Sequence, residues 1–566
     1  MGSLTLFAGV ALLMLAAPFE LTEPLVRLPR QSISSLETAV LVAFAVSAVA
    51  AVRARTLPQW RTPLTAPWAA LIAAMLVASL ASPVSRVNAL HMTGRVAAAF
   101  GVYLLTVNGI TTRRRLRAVL GLAVGVGLVV AILAILEFLG VAPVLSWLKV
   151  FRPGVATVGA QVRAGGPLQY PTIASMYLEV VFAFGLGVLL AAVDAGRIPA
   201  AAAIFIALAV VAEGVIITFT RAGVITMAAS LVFVVAVRAG RNGIDRGVRG
   251  VAALGLVVAA LFFSSRSAQS MWLRFTTEGQ DSWYRARVSA PSDLEIPTGQ
   301  VTVVPVSVTN VGRLPWDSSA DPPMRFSYHW LGADGDGFVT FEGARTPFAT
   351  IVAPGETVSV AARVRPPRQP GRYRLEWDLV QEGRLWFSTE PGAPRQMSRV
   401  VVSGDAADAP AVASIAPPTP TVRPGRLVLW RAAIRMIATH PLVGVGPDNF
   451  RLAYGPYAGL QFFDTRTHSN NMYLEMLAGG GLLAFTAFAW LLWNASGCVA
   501  AGLRPAADRG NAIAAGVAAA AMAIALHATV DSFVSFAPTY VLFSLTLGCA
   551  SACARGVEGR LDANRI

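Results

Sequence analysis

The sequence is short of charge. Only 14% of its 566 residues are Asp, Glu, Lys or Arg, against roughly 25% in soluble domains, while 55% are hydrophobic and the mean hydropathy is +0.59. That deficit excludes an ordinary soluble enzyme and points to a polytopic membrane protein. Lysine is nearly absent: Lys149 is the only one, so the net charge of +15 is carried by arginine. Guanidinium suits two-point contact with phosphate. A basic chain raises nucleic acid as a partner, but these arginines cluster in short loops between apolar runs, as orientation in a bilayer requires, and nucleic acid is set aside. The three cysteines, Cys498, Cys549 and Cys553, sit in or beside late apolar segments without zinc-ligand spacing. The large polar region has none and holds together without disulfides. A dinucleotide fingerprint is also missing, since the glycine-rich Pro441–Phe450 segment does not follow a strand.

What the chain does have is long apolar runs. A hydrocarbon core needs roughly 20 helical residues, and twelve windows approach this, at about 4–19, 37–52, 66–84, 90–110, 118–139, 173–193, 200–218, 222–238, 251–264, 471–494, 511–530 and 536–554. The first reads as a retained helix because no small-residue cleavage site follows it. Arginines follow spans two, four, eight, ten and twelve: Arg53, Arg55 and Arg61; Arg113, Arg114, Arg115 and Arg117; Arg238, Arg241, Arg246 and Arg249; Arg504 and Arg509; Arg555, Arg560 and Arg565. All fall on one side if both termini are cytoplasmic. The loop 140–172, the turn at Arg221, the region 265–470 and the turn at Asp531 then face outward.

The organisation follows. Residues 1–264 hold spans one to nine, 265–424 a large outer loop, 425–470 an amphipathic helix and a polar loop, and 471–566 spans ten to twelve. Within the outer loop, about 285–403 reads as strands, including Val301–Val308, closed by a turn at Thr309–Gly312, then Phe326–Trp330, Val358–Val364, Tyr373–Leu379 and Leu385–Phe387. Short alternating runs at this spacing predict an antiparallel, immunoglobulin-like β-sandwich. Residues 404–424, rich in Ala and Pro, read as a linker. The fold expected is an all-α membrane bundle of about twelve spans with an inserted β-sandwich.

Several polar residues stand where a membrane protein has reason to place them. Arg221 sits between two apolar runs, a costly place for a cation without water or an anion; a snorkelling interfacial arginine is the plainer account. Arg163 opens a Gly- and Pro-rich loop ahead of span six. Arg426 and Arg431 lie on a segment whose Leu427, Trp430, Ile434 and Ile437 fall at helical spacing, an interfacial helix with Arg426 at its N-terminus, where an anion is favoured. Asp448 and Asn449 read as turn residues. His468, one of five histidines, stands before Asn470 and Asn471 at the edge of span ten, where it is a candidate general base. Asp531, just past His527, is placed to orient a basic partner or to end its helix.

Taken in order, Trp430, His440–Gly446, Phe450, Thr467–Glu475 and Gly481–Ala484 resemble the O-antigen ligase and polymerase superfamily. Thr218–Gly223 is similar to its Ser/Thr-Arg-Gly/Ala element, and His527 with Asp531 to the His and Asp of its penultimate helix. The resemblance implies a GT-C-like, inverting glycosyltransferase of the bacterial inner membrane. It would take a glycan from undecaprenyl diphosphate at the periplasmic face and pass it to a lipid or glycan hydroxyl, without a cofactor or metal. Carried over, Arg221 and Arg426 bind the diphosphate and His468 activates the acceptor. Arg163, Arg431, Asn470, Asn471 and Asp531 contact substrate. The family's His lies about eleven residues before a Gly, which matches His468 if that Gly is Gly479 and Asn470 if it is Gly481. Thr172 stands where many members have Asn. A polymerase of the same superfamily, a polysaccharide transporter and a membrane-anchored glycan-binding protein are the alternatives. A transporter would need charges along the spans, which carry few beyond Glu137, Glu179 and Glu213.

Overall fold

The computed structural model describes residues 2–556 apart from 29–30, 54, 56–58, 153, 155, 159–160, 265–274, 276–282, 321–322, 334–336, 383–384, 390–392, 405–423, 461–462 and 505–510. Most of the linker, and the orientation residues Arg509, Arg560 and Arg565, lie outside the described residues.

Each of the twelve apolar windows is helical. In chain order they are α1 (Gly2–Ala16), α2 (Ser35–Arg53), α3 (Thr65–Leu80), α4 (Arg86–Gly109) and α5 (Arg113–Phe138), then, after the short α6 (Ala142–Leu148), α7 (Pro171–Asp194), α8 (Ile198–Ile216), α9 (Arg221–Asn242) and α10 (Arg246–Ser264). The polar α11 (Arg426–Thr439) and α12 (Phe450–Ala458) precede α13 (Met472–Gly502), α14 (Asn511–His527) and α15 (Ala537–Ala554). Among the described residues, nine helices are long and apolar enough to cross a membrane. Leu4–Ala16, Thr65–Leu80 and Ala512–His527 are shorter apolar helices. The chain is a polytopic α-helical membrane protein with a separate β region. Helix starts follow local chemistry: Ser85 and Thr112 cap α4 and α5 with their side chains, and proline opens α7, α8 and α15. Helices α7 and α15 are almost wholly enclosed, and α14 packs most extensively on α7.

Helix α13 is broken early in its length. Gly481 has φ 62° and ψ −168°, outside helical space. A break interrupts the backbone ladder, and the freed groups need partners that lipid cannot supply. The Pro441–Gly446 segment supplies them. Leu482 N–H donates to the Pro441 carbonyl (2.8 Å) and Leu483 N–H to that of Leu442 (3.1 Å). In return Val445 and Gly446 N–H donate to the carbonyls of Ala478 (3.0 Å) and Gly479 (2.8 Å). The glycine-rich stretch, expected to be a turn leaving a helix, therefore mends another helix. Its glycines are required twice over. Gly444 and Gly446 have φ 65° and 100°, and a Cβ at Gly444 would strike the Ala478 and Gly479 backbone, as one at Gly481 would strike Leu442.

Two short hairpins lie among the helices, β1 (Val26–Leu28) with β2 (Gln31–Ile33) and β3 (Ala156–Val158) with β4 (Gln161–Arg163), and the β region forms two further sheets. One runs β10 (Thr346–Pro347), β8 (Met324–Gly332), β12 (Gly371–Gln381), β14 (Gln396–Ser403), β6 (Asp293–Pro297), with β9 (Phe338–Thr340) and β13 (Leu385–Trp386) alongside. The other runs β11 (Thr357–Val364), β7 (Thr302–Asn310), β5 (Ala286–Ser289). Two expectations need correcting. The pairing is not wholly antiparallel, because β14 and β6 run parallel. The strand expected over Val301–Val308 runs from Thr302 to Asn310, because Thr309 pairs with Thr357 opposite, and the turn starts after it. Residues from both sheets share one hydrophobic cluster, which includes Trp283, Trp316, Trp330, Phe326 and Val306. That cluster also takes in Phe219, fully buried, from the turn ahead of α9.

Gly481→Ala is expected to cost about 2 kcal/mol or more, since it adds a left-handed non-glycine residue to a steric clash. Gly497→Ala in the same helix, where a Cβ meets nothing within 4 Å, is expected to be neutral or mildly stabilising. Thermal unfolding in detergent checks the contrast.

Candidate active site

Three charged groups from distant parts of the chain meet at one end of the bundle. Arg221 is the first residue of α9, Arg426 the first of α11, and Asp531 follows α14. Arg426 is half-buried, and burial pulls its guanidinium below the ordinary arginine value. The Asp531 carboxylate opposes that fall, and the Arg221 charge adds to it. Two guanidinium groups and one carboxylate thus act on one another here, a donor set that suits an anion.

The turn carrying Arg221 is held from below. Arg163 ends the short strand β4 (Gln161–Arg163), which pairs with β3 (Ala156–Val158). Its Nε donates to the Thr218 carbonyl (3.0 Å) and its Nη2 to Thr220 Oγ1 (3.3 Å). Ala164 N–H donates to the Ile217 carbonyl at 3.1 Å. Just beyond, Gly165 and Gly166 N–H donate to Glu137 Oε2 at 3.0 and 2.8 Å, and Glu137 is ion-paired with Arg152, both buried. Arg163 thus braces the approach to Arg221.

His468 stands on the same frame. One turn along α11 from Arg426, Trp430 Nε1–H donates to the Ser469 carbonyl (3.1 Å). Met472 N–H donates to the carbonyls of Ala528 (2.8 Å) and Asp531 (3.1 Å). The His468 loop is therefore tied to the helix that bears Arg426 and to the turn that bears Asp531. Asn471 caps α13, its Oδ1 accepting from the N–H groups of Tyr473 and Leu474, each at 3.0 Å. Asn470 is half-buried in a left-handed conformation, φ 52°. Arg431 is not brought in: it lies on the exposed face of α11, about 140° round the helix from Arg426.

Sequence reasoning missed the surroundings of His468. Its Nδ1 lies 3.4 Å from Glu475 Oε1 and 3.7 Å from Asp448 Oδ1. Ser469 N–H donates to Glu475 Oε2 at 2.8 Å. Arg451 Nε donates to Asp448 Oδ2 (2.9 Å), as does Asn88 Nδ2 (3.1 Å). Asn449, expected to be a plain turn residue, is fully buried. Its Nδ2 donates to Ser82 Oγ (2.8 Å) and to the carbonyls of Ser85 and Val445 (3.0 Å each), while its Oδ1 accepts from Asn88. The spacing of His468 and Glu475, with Glu475 a turn into the following helix, was the available signal for that pair. Asp448 and Asn88 come from opposite ends of the chain and carried none.

Backbone strain marks the same region. Among the described residues, the non-glycine positions with positive φ are Arg55, Phe219, Asp448 and Asn470. Phe219, Asp448 and Asn470 each belong to a segment that carries a candidate residue. Such outliers concentrate where geometry has been fixed for a function.

Residues 410–489 match the O-antigen ligase family. The matched segment spans α11, the Pro441–Gly446 insert, α12, the His468 loop and α13 to just past its break. Arg426, Asp448, His468 and Glu475 lie inside it; Arg163, Arg221 and Asp531 lie outside. No curated protein matched the chain.

Asn449→Ala would leave the Ser82, Ser85, Val445 and Asn88 groups short of partners, at a cost of about 2–3 kcal/mol. A lowered midpoint of thermal unfolding in detergent, with membrane insertion retained, is the expected result.

Proposed function

We propose that this protein transfers a glycan from an undecaprenyl-diphosphate-linked donor to an acceptor hydroxyl, in the manner of an O-antigen ligase. The observation that carries this reading is the convergence of Arg221, Arg426 and Asp531 on one spot, with His468 tied by backbone and Trp430 to the same frame, in a chain whose 410–489 segment matches that family.

The chemistry accounts for each group. The acceptor oxygen attacks the anomeric carbon from the face opposite the phosphate, a C–O bond forms, the C–O bond to phosphate breaks, and configuration inverts. The bonding pair leaves with the diphosphate, whose developing charge is met by fixed guanidinium groups. Two arginines serve where another enzyme would use a divalent cation, which makes the reaction metal-independent and free of cofactors. The acceptor proton passes to His468. Arg163 acts by placing Arg221, Asp531 by orienting Arg426, and Asn470 and Asn471 lie within reach of the acceptor. Arg431 belongs to the surrounding membrane surface, where it is available to lipid headgroups.

In this reading α1, α3 and α14 are crossings too, giving twelve spans of the bacterial inner membrane with both termini cytoplasmic and the site periplasmic. The β region is an immunoglobulin-like insertion whose parallel first–last strand pair closes the larger sheet. It packs beside the donor site through Phe219 and offers a surface for glycan, acceptor or a protein partner.

The test is transfer by purified protein supplied with lipid-linked glycan, with and without lipid A–core. Arg221→Ala, Arg426→Ala and His468→Ala are each expected to lower transfer by about a hundredfold or more while inserting normally. Transfer that needs lipid A–core identifies a ligase, and elongation without it a polymerase. Wild-type turnover by His468→Ala would move the base role to another residue, and wild-type turnover by both arginine variants would overturn the reading.

A further inference from the structure

His468, Asp448 and Glu475 present one nitrogen and two carboxylate oxygens within 4.8 Å of one another. Two arrangements fit such a set: a divalent cation held by three ligands, or an imidazole held by two carboxylates. The neighbouring charges decide between them. Arg451 already binds Asp448 through Oδ2, and Ser469 N–H already binds Glu475 through Oε2. With Arg451 balancing Asp448, one negative charge is left beside His468. A single positive charge neutralises it, and an imidazolium is that charge. A divalent ion would sit beside a guanidinium with a positive excess, in a site largely closed to water. Phe536, whose ring centroid is 6.0 Å from that of His468, brings no charge.

We propose that Glu475, backed by Asp448, is the positioning residue for His468. Both carboxylates face Nδ1, so Nδ1 carries the proton and donates it to Glu475, and Nε2 is the nitrogen left for the acceptor hydroxyl. When the hydroxyl proton moves to Nε2, the ring becomes an imidazolium flanked by Glu475. Its new positive charge is stabilised where it forms, and the oxygen lone pair is freed for the anomeric carbon. The imidazole titrates accordingly. Burial alone would push its pKa down. The Glu475 hydrogen bond and charge, helped by Asp448 and weakly opposed by Arg451, override this and raise it above the usual histidine value. This inference rests on the proposed transfer reaction.

The sign of the pH effect follows. A base works deprotonated, so transfer by the wild type should rise with pH through a midpoint above the usual histidine range. Glu475→Gln removes the charge and should lower that midpoint by about one pH unit and lower maximal turnover about tenfold or more. Asp448→Asn, whose one amide oxygen can take the place of Oδ2 as acceptor for both Asn88 and Arg451, should move it the same way by less. The His468 midpoint is read separately as the pH dependence of its modification by diethyl pyrocarbonate, located by peptide mass spectrometry. An unchanged midpoint in both variants, each inserted at wild-type level, overturns the positioning role. A modification midpoint that shifts while the transfer profile stays put overturns the base role instead. Loss of wild-type activity on dialysis against EDTA, restored by Mn²⁺ or Mg²⁺, overturns both in favour of a metal centre.

Discussion

The break in α13 governs the geometry of everything around it. A helix that runs through a membrane is ordinarily closed on itself, every N–H and carbonyl bonded within the helix. Opening that ladder at Gly481 leaves donors on one side and acceptors on the other, and the Pro441–Gly446 segment answers both sets at once. The exchange fixes the chain in register: Pro441 and Leu442 to Leu482 and Leu483, Val445 and Gly446 to Ala478 and Gly479. From this anchor α11 runs back to Arg426, and the chain beyond Gly446 delivers Asp448 to His468. Ser82 and Asn449 carry the anchorage on to the connection between α3 and α4. The backbone exchange thus sets the course of the chain around His468, and Glu475 and Asp448 face its ring from that frame.

Two kinds of electrostatic setting result, one on each side of the His468 loop. At Arg221 and Arg426 two guanidinium groups lie near enough to act on each other, with Asp531 as partial compensation. At His468 the balance runs the other way, with carboxylates from α13 and the Asp448 turn and only Arg451 to offset them. In the proposed reaction a leaving group gaining negative charge and a base gaining positive charge would each meet their opposite. The separation is maintained by rigid connections: Arg163 under the Arg221 turn, Trp430 between α11 and Ser469, and Met472 between α13 and the Asp531 turn.

How much of this could be read from the amino-acid order varies with the range of the interaction. Apolar runs are local, and all twelve windows are helices within a few residues of where hydropathy puts them. Alternation is local too, and it located β7, β8, β11, β12 and β13; it did not single out β6 and β14 or their parallel pairing, because register between distant strands leaves no mark in either. Arg221, Arg426 and His468 were legible as polar residues at apolar boundaries and through their resemblance to a family pattern. Asp448 and Asn449 were not, since a short polar pair after two glycines looks like any turn. Their role depends on Asn88 and Ser82, which the chain visits far earlier. Gly481 was legible only as one of three consecutive glycines in a helix, with nothing to say that its neighbours would bond to Pro441 and Leu442.

The burial of Phe219 in the hydrophobic cluster of the β region has a consequence for how the protein is made. The turn that holds Phe219 in its left-handed conformation, immediately before Arg221, leaves the ribosome well ahead of Trp283, Tyr284 and the strands that cover it. Until that insertion has folded, the Phe219 ring lacks the cover of the β region, and the turn is held by Arg163 alone of the two supports described. The end of the bundle that holds Arg221 thus draws on three successive parts of the chain: the early helices, the β region packed on Phe219, and the α11–α13 segment. The insertion acts as a late-arriving clamp on the turn that carries Arg221, so the final packing of that turn waits on the folding of the β region.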